Sequence, residues 1–262
     1  METSNGWYQV RIELEKALDR VFDLKPEALF EFDSLLSIDE MNLLGFVRNF
    51  PHLTCVMCSI DEAQQSSFSK GEISLDKNFR QMGVDSALLP AACYKIYLGL
   101  RKQQLERSQV IGCIAKCFRR ETKALDAYRA MNFTMKEFVC LGSSEDAQRH
   151  VETGLARIER AMEQLDIPFS CETASDPFFD SSGALATMSK LMPTKREIMF
   201  KGHAVASVNV HRNYFGDKFD IRFRDKPIST SCVAFGMERW LAMFRETFDT
   251  PQRTLQRLSA VS

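Results

Sequence analysis

Residues 118–142 contain two arginines, a glutamate and a phenylalanine whose types and spacing suit the binding of a nucleotide. Arg119 and Glu121 stand at the end of an apolar run, and Arg129 and Phe133 follow a polar stretch. A fixed guanidinium can neutralise charge that develops on a phosphoryl group, without supplying a competing nucleophile. Arg119 is our candidate for this contact at an α-phosphate. The alternative is a surface hairpin that only carries charge.

The other three side chains could complete a nucleotide site. Glu121 can accept a hydrogen bond from an adenine amino group, and Phe133 offers a face for the purine ring. Arg129 can reach the γ-phosphate as a second clamp. This order, an Arg-x-Glu strand end, a polar loop, an arginine and a phenylalanine, resembles motif 2 of the class II aminoacyl-tRNA synthetases.

The run SCVAFGMERWLAMF at 231–244 carries a second signal. Gly236 and Arg239 resemble the end of class II motif 3, usually Gly-x-Gly-x-x-Arg, although Ala234 replaces the first glycine. Gly236 would let the backbone pass close to the nucleotide. Arg239 could stack on adenine or hold the terminal phosphate. The two motifs, about a hundred residues apart and in the expected order, are more specific together than either is alone.

Acidic and polar residues between the motifs predict a site for Mg²⁺ bound with ATP. Glu197 is the candidate ligand, and Ser207 and Asn209 are expected to assist nearby.

Two cysteines and a glutamate predict a zinc site, with one Zn²⁺ per chain. Cys93, Glu137 and Cys232 each fall on a predicted core strand, so that the fold would bring them to one pocket. Two thiolates and a carboxylate leave the fourth tetrahedral position open, as in a catalytic rather than a structural site. A substrate α-amino group could occupy that position.

The remaining cysteines are interpreted as small buried side chains. This applies to Cys113, Cys117, Cys140 and Cys171, and also to the Cys-x-x-Cys pair Cys55 and Cys58, which lacks a second pair and a redox context. Among the four histidines, His211 is the best candidate to line the pocket.

Length and composition favour a soluble globular protein. The chain has 262 residues, of which 45% are hydrophobic and 26% charged. The formal net charge of −1 gives no basic field to hold a polyanion, so tRNA binding is not expected. The first residues are polar and no long apolar run follows, so neither a leader nor a membrane segment is predicted, and the expected location is the cytoplasm with mostly free thiols.

Hydrophobic periodicity predicts an α+β fold. Helical spacing is evident in 7–22 and in 145–167, where Ser143 and Ser144 provide a cap. Apolar runs within 87–142 predict strands, including LLPAACYKIY, VIGCIAKCF and FTMKEFVCLG. Residues 197–223 suit antiparallel strands with a glycine turn, and 232–248 suit a strand that runs into a helix. The polar residues 59–85 are predicted to be a surface loop.

The chain is identified as resembling the amino acid:carrier protein ligases, truncated relatives of the zinc-dependent seryl-tRNA synthetases of methanogens. The supporting strings are FRRE with RAMNFTMKEFVCLG, SDPFF followed by a polar helix and Lys195-Arg196-Glu197, and SVNVHRNYFG leading to TSCVAFGMERW. The resemblance covers about 88–244. It implies a class II synthetase-like antiparallel sheet flanked by helices, with an accessory segment (1–85) packed on a core (86–262) in one compact domain.

The resemblance also implies function. Such ligases are homodimers without a tRNA-binding domain, and they load glycine or alanine onto the phosphopantetheine arm of an acyl or peptidyl carrier protein. It maps the zinc ligands onto Cys93, Glu137 and Cys232 and the ATP contacts onto Arg119, Glu121, Phe133 and Arg239. The helix after 175–179 could meet the carrier. No clear motif 1 is present.

Two other hypotheses remain open. The chain could be a compact or paralogous aminoacyl-tRNA synthetase that acts on RNA, or a catalytically silent regulator. The first needs a basic surface or an RNA-binding domain, and neither is evident. The second would normally have lost some of Arg119, Glu121 and Arg239, and all three are present.

Overall fold

The computed structural model of the protein describes residues 5–75, 82–183, 187, 191 and 194–261. Its helices are α1 (Asn5–Val21), α2 (Ile38–Leu44), α3 (Phe46–Asn49), α4 (Glu62–Ser69), α5 (Tyr94–Gly99), α6 (Ser144–Gln164), α7 (Tyr214–Phe219), α8 (Met237–Phe248) and α9 (Pro251–Leu258). Its strands are β1 (Leu29–Glu31), β2 (Leu35–Leu36), β3 (Val56–Ile60), β4 (Met82–Leu88), β5 (Gln104–Leu105), β6 (Gln109–Phe118), β7 (Asn132–Gly142), β8 (Ser170–Ala174), β9 (Lys195–Phe200), β10 (His203–Arg212), β11 (Arg222–Phe223), β12 (Lys226–Pro227) and β13 (Ser229–Gly236).

Within the described ranges, the main sheet has seven strands in the order β1-β6-β7-β13-β10-β9-β8. Strand β1 runs parallel to β6, and every other neighbouring pair is antiparallel. Helices cover both faces, so the expected α+β fold, a largely antiparallel sheet flanked by helices, is confirmed. The long apolar strands β6, β7 and β13 lie at the centre of this sheet, next to β10.

Alternating side chains divide the central strands between two hydrophobic cores. Helices α1, α6, α8 and α9 pack on one face, where Phe138 of β7 is buried. Elements α2, α3, α5 and α7 pack on the other, where Val139 is buried. Lys136 points toward the first face and forms a 2.7 Å ion pair with Asp19 of α1, although its side chain is only 1% exposed. Its neighbour Glu137 points toward the second face.

The strongest sequence patterns predicted their elements correctly. Strands β6 and β7 and helix α1 lie where expected, and α6 is capped by Ser143, whose hydroxyl accepts from the Asp146 amide in a reciprocal capping box. Strands β9 and β10 are joined by a tight turn at Lys201 and Gly202, both with positive φ. Strand β13 leads directly into α8.

Three element predictions were wrong. The run LLPAACYKIY contains the end of β4 and helix α5, because Pro90 cannot donate to a strand ladder and the chain turns there. The predicted loop at 59–85 contains the end of β3, helix α4 and part of β4. Helix α4 is capped by Asp61 and has no buried residue, so it carries no apolar stripe. The predicted strands at 197–223 are interrupted by α7.

The cysteine predictions hold for most positions. All eight cysteines are free, and Cys113, Cys117 and Cys140 are buried. Cys171 is only partly buried. The prediction of core packing for the Cys-x-x-Cys pair was wrong at Cys58, which lies exposed on β3, while Cys55 is half-buried.

Two further expectations, one about a segment boundary and one about a helix, stay predictions. The boundary between an accessory segment (1–85) and a core (86–262) falls inside β4. The polar helix expected after 175–179 lies mostly outside the described residues, at 184–186, 188–190 and 192–193. Within the described ranges, no helix is both long and apolar enough to cross a membrane.

Candidate active site

Two adjoining cavities open on the face of the sheet that carries Glu137. The arginine cavity, of about 910 Å³, is lined by Arg119, Glu121, Arg129, Phe133 and Arg239 among others. The cysteine cavity, of about 480 Å³, is lined by Cys93, Glu137, Cys232 and His211 among others. Six residues line both cavities and form their shared wall: Arg119, Met135, Asp176, Lys195, Ser207 and Ala234.

Arg119 follows the last residue of β6 and is held in place at the shared wall. Its Nε donates to the carbonyl of Pro90 at 2.9 Å, and its guanidinium carbon lies 5.3 Å from the ring centroid of Phe133. A cation over an aromatic face is attracted by the ring quadrupole. The guanidinium is therefore oriented by contacts that leave its charge uncompensated.

Arg239 lies in the first turn of α8 and is fixed by two backbone carbonyls. Its Nε donates to Tyr128 at 2.9 Å and its terminal nitrogen donates to Ala204 at 2.7 Å. Burial lowers the pKa of Arg239, and the nearby charge of Arg119 lowers it further. Two guanidinium groups thus share one cavity, an arrangement that favours a polyanionic ligand.

Glu121 and Arg129 bind each other across the loop between β6 and β7. The terminal nitrogen of Arg129 donates to Glu121 at 3.1 Å. The pair lines the same cavity as Phe133, so the sequence-predicted nucleotide residues of both motifs converge. The loop is further tied to α8 through Tyr128, whose carbonyl accepts a hydrogen bond from Arg239.

The residues expected to assist Mg²⁺ lie on β9 and β10. Glu197 faces Ser207 across the two strands, and both line the arginine cavity. Asn209 lines the cysteine cavity instead, within 3.3 Å of Thr194. The Glu197 carboxylate is 3.0 Å from the ammonium of Lys195.

Lys195 and Asp176 belong to the shared wall and were not assigned a role from the sequence. The Lys195 ammonium lies 3.0 Å from Asp176 and 3.0 Å from Glu197. Burial alone would lower the pKa of Lys195, but these two carboxylates raise it. The spacing of Lys195 and Glu197 at i and i+2 places both on one face of a strand and could have indicated this lysine. Asp176 lies in the string SDPFF, but the sequence alone gave it no role.

The cysteine cavity ends in a buried cluster formed by Cys93, Glu137 and Cys232. The side chains of Glu137 and Cys232 both interact electrostatically with the Cys93 thiol. Burial raises the pKa of Glu137 to about 7, and the backbone amides of Ala92 and Cys93 donate to one of its oxygens at 2.9 and 3.3 Å. Cys93 lies just before α5, so the prediction that it falls on a strand was wrong. The side chains of Cys93, Glu137 and Cys232 nevertheless line one cavity, as predicted.

The pKa values of the two thiols move in opposite directions. Interaction with the Cys232 thiol and burial raise the pKa of Cys93. The same interaction, together with the nearby His211, lowers the pKa of Cys232. A lowered pKa favours the thiolate, which is the form of cysteine that binds a metal ion.

The donor types of this cluster fit zinc, which prefers thiolate, imidazole and carboxylate ligands in a tetrahedral set. In the part of the chain that the structure describes, no group of three or more His, Cys, Asp or Glu side chains is spaced to hold a metal ion. The zinc ligation of these three residues therefore stays a proposal.

His211 lines the cysteine cavity, as expected. Its Nε2 lies 3.7 Å from the sulfur of Cys232, and its Nδ1 lies 3.3 Å from the hydroxyl of Tyr97 and 3.2 Å from that of Thr230.

Comparison with known proteins gives a family for this arrangement. No family model matches the chain. The chain is 31% identical over 233 residues to amino acid–acyl-carrier-protein ligase 1 of Bradyrhizobium diazoefficiens, covering 83% of this chain and 71% of that enzyme. It is 30% identical to ligase 2 of the same organism, covering 82% of this chain and 69% of that enzyme.

The chain belongs to the amino acid–acyl-carrier-protein ligase family. The expected family resemblance is confirmed, and the chain is by family an adenylate-forming ligase. The fold agrees with that of M. kandleri seryl-tRNA synthetase, solved in complex with A. aeolicus tRNASec. The TM-score is 0.74 at 19% identity, and the match covers 95% of this chain and 55% of the synthetase.

Proposed function

We propose that this ligase uses ATP to activate a small amino acid, glycine or alanine, and transfers it to the phosphopantetheine thiol of a carrier protein. The observation that carries the proposal is the shared wall between the arginine cavity and the cysteine cavity. A nucleotide in the first and an amino acid in the second would meet at Arg119. The names of the two ligase relatives support the same reaction class.

In the first half-reaction, a carboxylate oxygen of the amino acid attacks the α-phosphorus of ATP. The bond from that phosphorus to the bridging oxygen breaks, and pyrophosphate leaves. Arg119 neutralises the charge that develops on the α-phosphoryl oxygens, because its guanidinium is already oriented by Pro90. Arg129 and Arg239 hold the terminal phosphates, and Phe133 stacks on adenine while Glu121 accepts from its amino group. No general base is required, since the nucleophile is already a carboxylate.

Metal ions complete the proposed site. Cys93, Glu137 and Cys232 would hold one Zn²⁺, and Glu197, with Ser207 and Asn209 nearby, would hold Mg²⁺ of the ATP complex. Bound zinc would supply a Lewis-acidic position for the α-amino group, and magnesium would supply positive charge at the phosphates. The Lys195 ammonium lies beside Glu197 and has to share that carboxylate with the cation.

In the second half-reaction, the pantetheine sulfur attacks the carbonyl carbon of the adenylate. The bond from that carbon to the phosphate oxygen breaks, AMP leaves, and the thiol proton passes to the departing phosphate. The carrier is expected to dock near the segment that follows 175–179. We further propose a homodimer in the cytoplasm that does not use tRNA.

The experiment is ATP–pyrophosphate exchange measured against the twenty amino acids, followed by mass analysis of a phosphopantetheinylated carrier protein incubated with the ligase. We expect exchange with glycine or alanine and a carrier heavier by one aminoacyl group. A carrier without the phosphopantetheine arm is the control and should gain no mass. Exchange followed by transfer only to tRNA would favour the synthetase hypothesis, and no exchange with any amino acid would favour a silent regulator.

A further inference from the structure

The His211 imidazole contacts polar atoms through both ring nitrogens while its ring packs among aromatic side chains. Nδ1 is 3.3 Å from the Tyr97 hydroxyl and 3.2 Å from that of Thr230, and Nε2 is 3.7 Å from the Cys232 sulfur. The ring meets Phe215 edge-on at 5.0 Å between centroids. Phe215 is in turn stacked on Tyr97 at 3.9 Å. The imidazole is therefore fixed in position and in orientation.

The strand order places His211 on a different flank of Cys232 from Glu137. Cys232 lies on β13, which pairs with β7 on one side and with β10 on the other. Glu137 belongs to β7, and His211 belongs to β10. A cation held between Cys93, Glu137 and Cys232 would lie toward β7, so the imidazole approaches the sulfur from the side away from it. This arrangement favours a hydrogen bond to the sulfur over direct ligation.

The partners of the two nitrogens define where the ring carries its proton. A thiolate sulfur can only accept a hydrogen bond, so the Nε2 that faces it has to carry hydrogen. Nδ1 is then the acceptor, and it faces two hydroxyl groups that can donate. Both ring nitrogens have a hydrogen-bond partner in this state, as expected for a partly buried imidazole.

We propose that His211 is a positioning residue that donates a hydrogen bond from Nε2 to the sulfur of Cys232 and thereby directs this ligand toward the metal. This rests on the zinc ligation in the proposed function, which gives His211 no role. The hydrogen bond fixes the direction of the sulfur lone pairs and draws negative charge from the thiolate. Tyr97 and Thr230 hold the ring in the required tautomer, so they act one step further from the metal. Such outer contacts commonly change metal affinity by about 10- to 100-fold.

The test compares His211→Phe with His211→Gln in the full-length chain. Phenylalanine keeps a flat ring against Phe215 but has no donor, whereas the glutamine amide nitrogen can reach the position of Nε2. Tyr97→Phe keeps the stacked ring and removes only one hydroxyl, so it serves as a variant with little risk to folding. The probe is Co²⁺, titrated with each protein and followed through its sulfur-to-cobalt charge-transfer absorption.

We expect His211→Phe to weaken Co²⁺ binding by about 10- to 100-fold and to shift the charge-transfer band to lower energy. His211→Gln should restore much of both, and Tyr97→Phe should show a smaller shift in the same direction. The ligand-field bands should keep the same intensity, because the ligand set is unchanged. An unmoved band and unchanged affinity in His211→Phe would refute the proposal, as would ligand-field bands that report the loss of a ligand.

A second measurement separates this proposal from the zinc assignment. Ring ¹⁵N chemical shifts in metal-free, histidine-labelled protein identify which nitrogen carries hydrogen, and the His211 signal is assigned by its loss in His211→Gln. A protonated Nε2 supports the hydrogen bond, and a bare Nε2 overturns it. Failure of the wild-type chain to bind Co²⁺ would refute the zinc site alone, since the ¹⁵N measurement does not depend on metal.

Discussion

Arg119 and Arg239 are both oriented by backbone carbonyl groups and not by carboxylates. The carbonyl groups of Pro90, Tyr128 and Ala204 accept hydrogen bonds from the two guanidinium groups without cancelling their positive charge. Both side chains therefore present a full positive charge to a ligand and lose little conformational entropy when it binds. Arg129 differs, because Glu121 already compensates its charge.

Replacement of Arg119 by lysine tests this arrangement at the residue scale. An ammonium group cannot make the same oriented contacts, so we expect the rate of ATP–pyrophosphate exchange to fall about 100-fold or more. The matched control is Arg120→Lys, the same chemical change at the exposed neighbouring residue. Equal activity of the two variants would show that residue 119 does not contact the reacting phosphate.

The proposed zinc ligands allow a second residue-scale comparison. Cys232→Ser should lower the zinc content of purified protein from about one per chain to near zero and abolish exchange, because a neutral hydroxyl is a poor zinc ligand. Cys140→Ser makes the same change at a buried cysteine outside the cysteine cavity, and its zinc content should not change. Elemental analysis checks both. Wild-type protein with full activity and no metal would rule out the zinc site.

At the scale of elements, α6 lies unusually close to the centre of the main sheet. A Cβ on Gly154 would meet a methyl group of Val233 on β13 at 2.6 Å. Valine is stiff about its side-chain bond, so the methyl group cannot easily move aside. The absence of a side chain at 154 therefore sets the distance between this helix and the strand that carries Cys232.

Alanine at position 154 should consequently destabilise the protein, although alanine is the better helix former. The gain in helix propensity is about 1 kcal/mol, and the overpacking costs about 1–3 kcal/mol. We expect a net loss of unfolding free energy in urea denaturation. Gly99→Ala, at the end of α5 with open space around the new methyl group, should be neutral or slightly stabilising. A Gly154→Ala variant as stable as Gly99→Ala would contradict the close packing.

Elements with a strong hydrophobic pattern were predicted correctly from the sequence, and elements with a weak pattern were not. The apolar residues of α6 from Val151 to Met162 face a core and repeat at helical spacing, so the sequence was sufficient to predict this helix. Helix α4 buries nothing, so its residues carried no such signal. In α5 the buried Ile96 and Tyr97 follow a proline turn within an apolar run, and their spacing over six residues is too short to separate helix from strand.

At the scale of the whole molecule, α1 is joined to the central sheet by a buried ion pair. Lys136 of β7 is almost fully enclosed, and Asp19 is its carboxylate partner. A buried charge that loses its partner is costly, whereas removal of the charge itself is less so. The two halves of this pair should therefore respond differently to substitution.

We expect Asp19→Ala to lower the unfolding free energy by about 3 kcal/mol, because it leaves the buried Lys136 ammonium without its carboxylate partner. Lys136→Met should cost less, since methionine fills a similar volume without charge and Asp19 is partly exposed. Urea denaturation of both variants measures the difference. Equal losses would mean that the ammonium reaches water or another partner when Asp19 is absent.

The candidate site was predictable in part from the sequence. The motif residues of both segments line one cavity, because their positions at the ends of β6 and β13 follow from strand patterns. The pairing of Asp176 with Lys195 was missed, because it joins side chains from segments about twenty residues apart. The contacts of His211 with Tyr97 and Thr230 could not be predicted either, since they depend on how a helix and two strands are placed relative to one another.

The alternation of Lys136 and Glu137 has a consequence for how the site assembles. A slip of β7 by a single position would push an ammonium among the thiols and turn a carboxylate toward Asp19. The Lys136 ammonium would lose its Asp19 partner, and the Glu137 carboxylate would face Asp19 in its place, so the shifted register is disfavoured. The register that brings Glu137 to Cys93 and Cys232 is therefore set by charge as well as by the apolar side chains of β7.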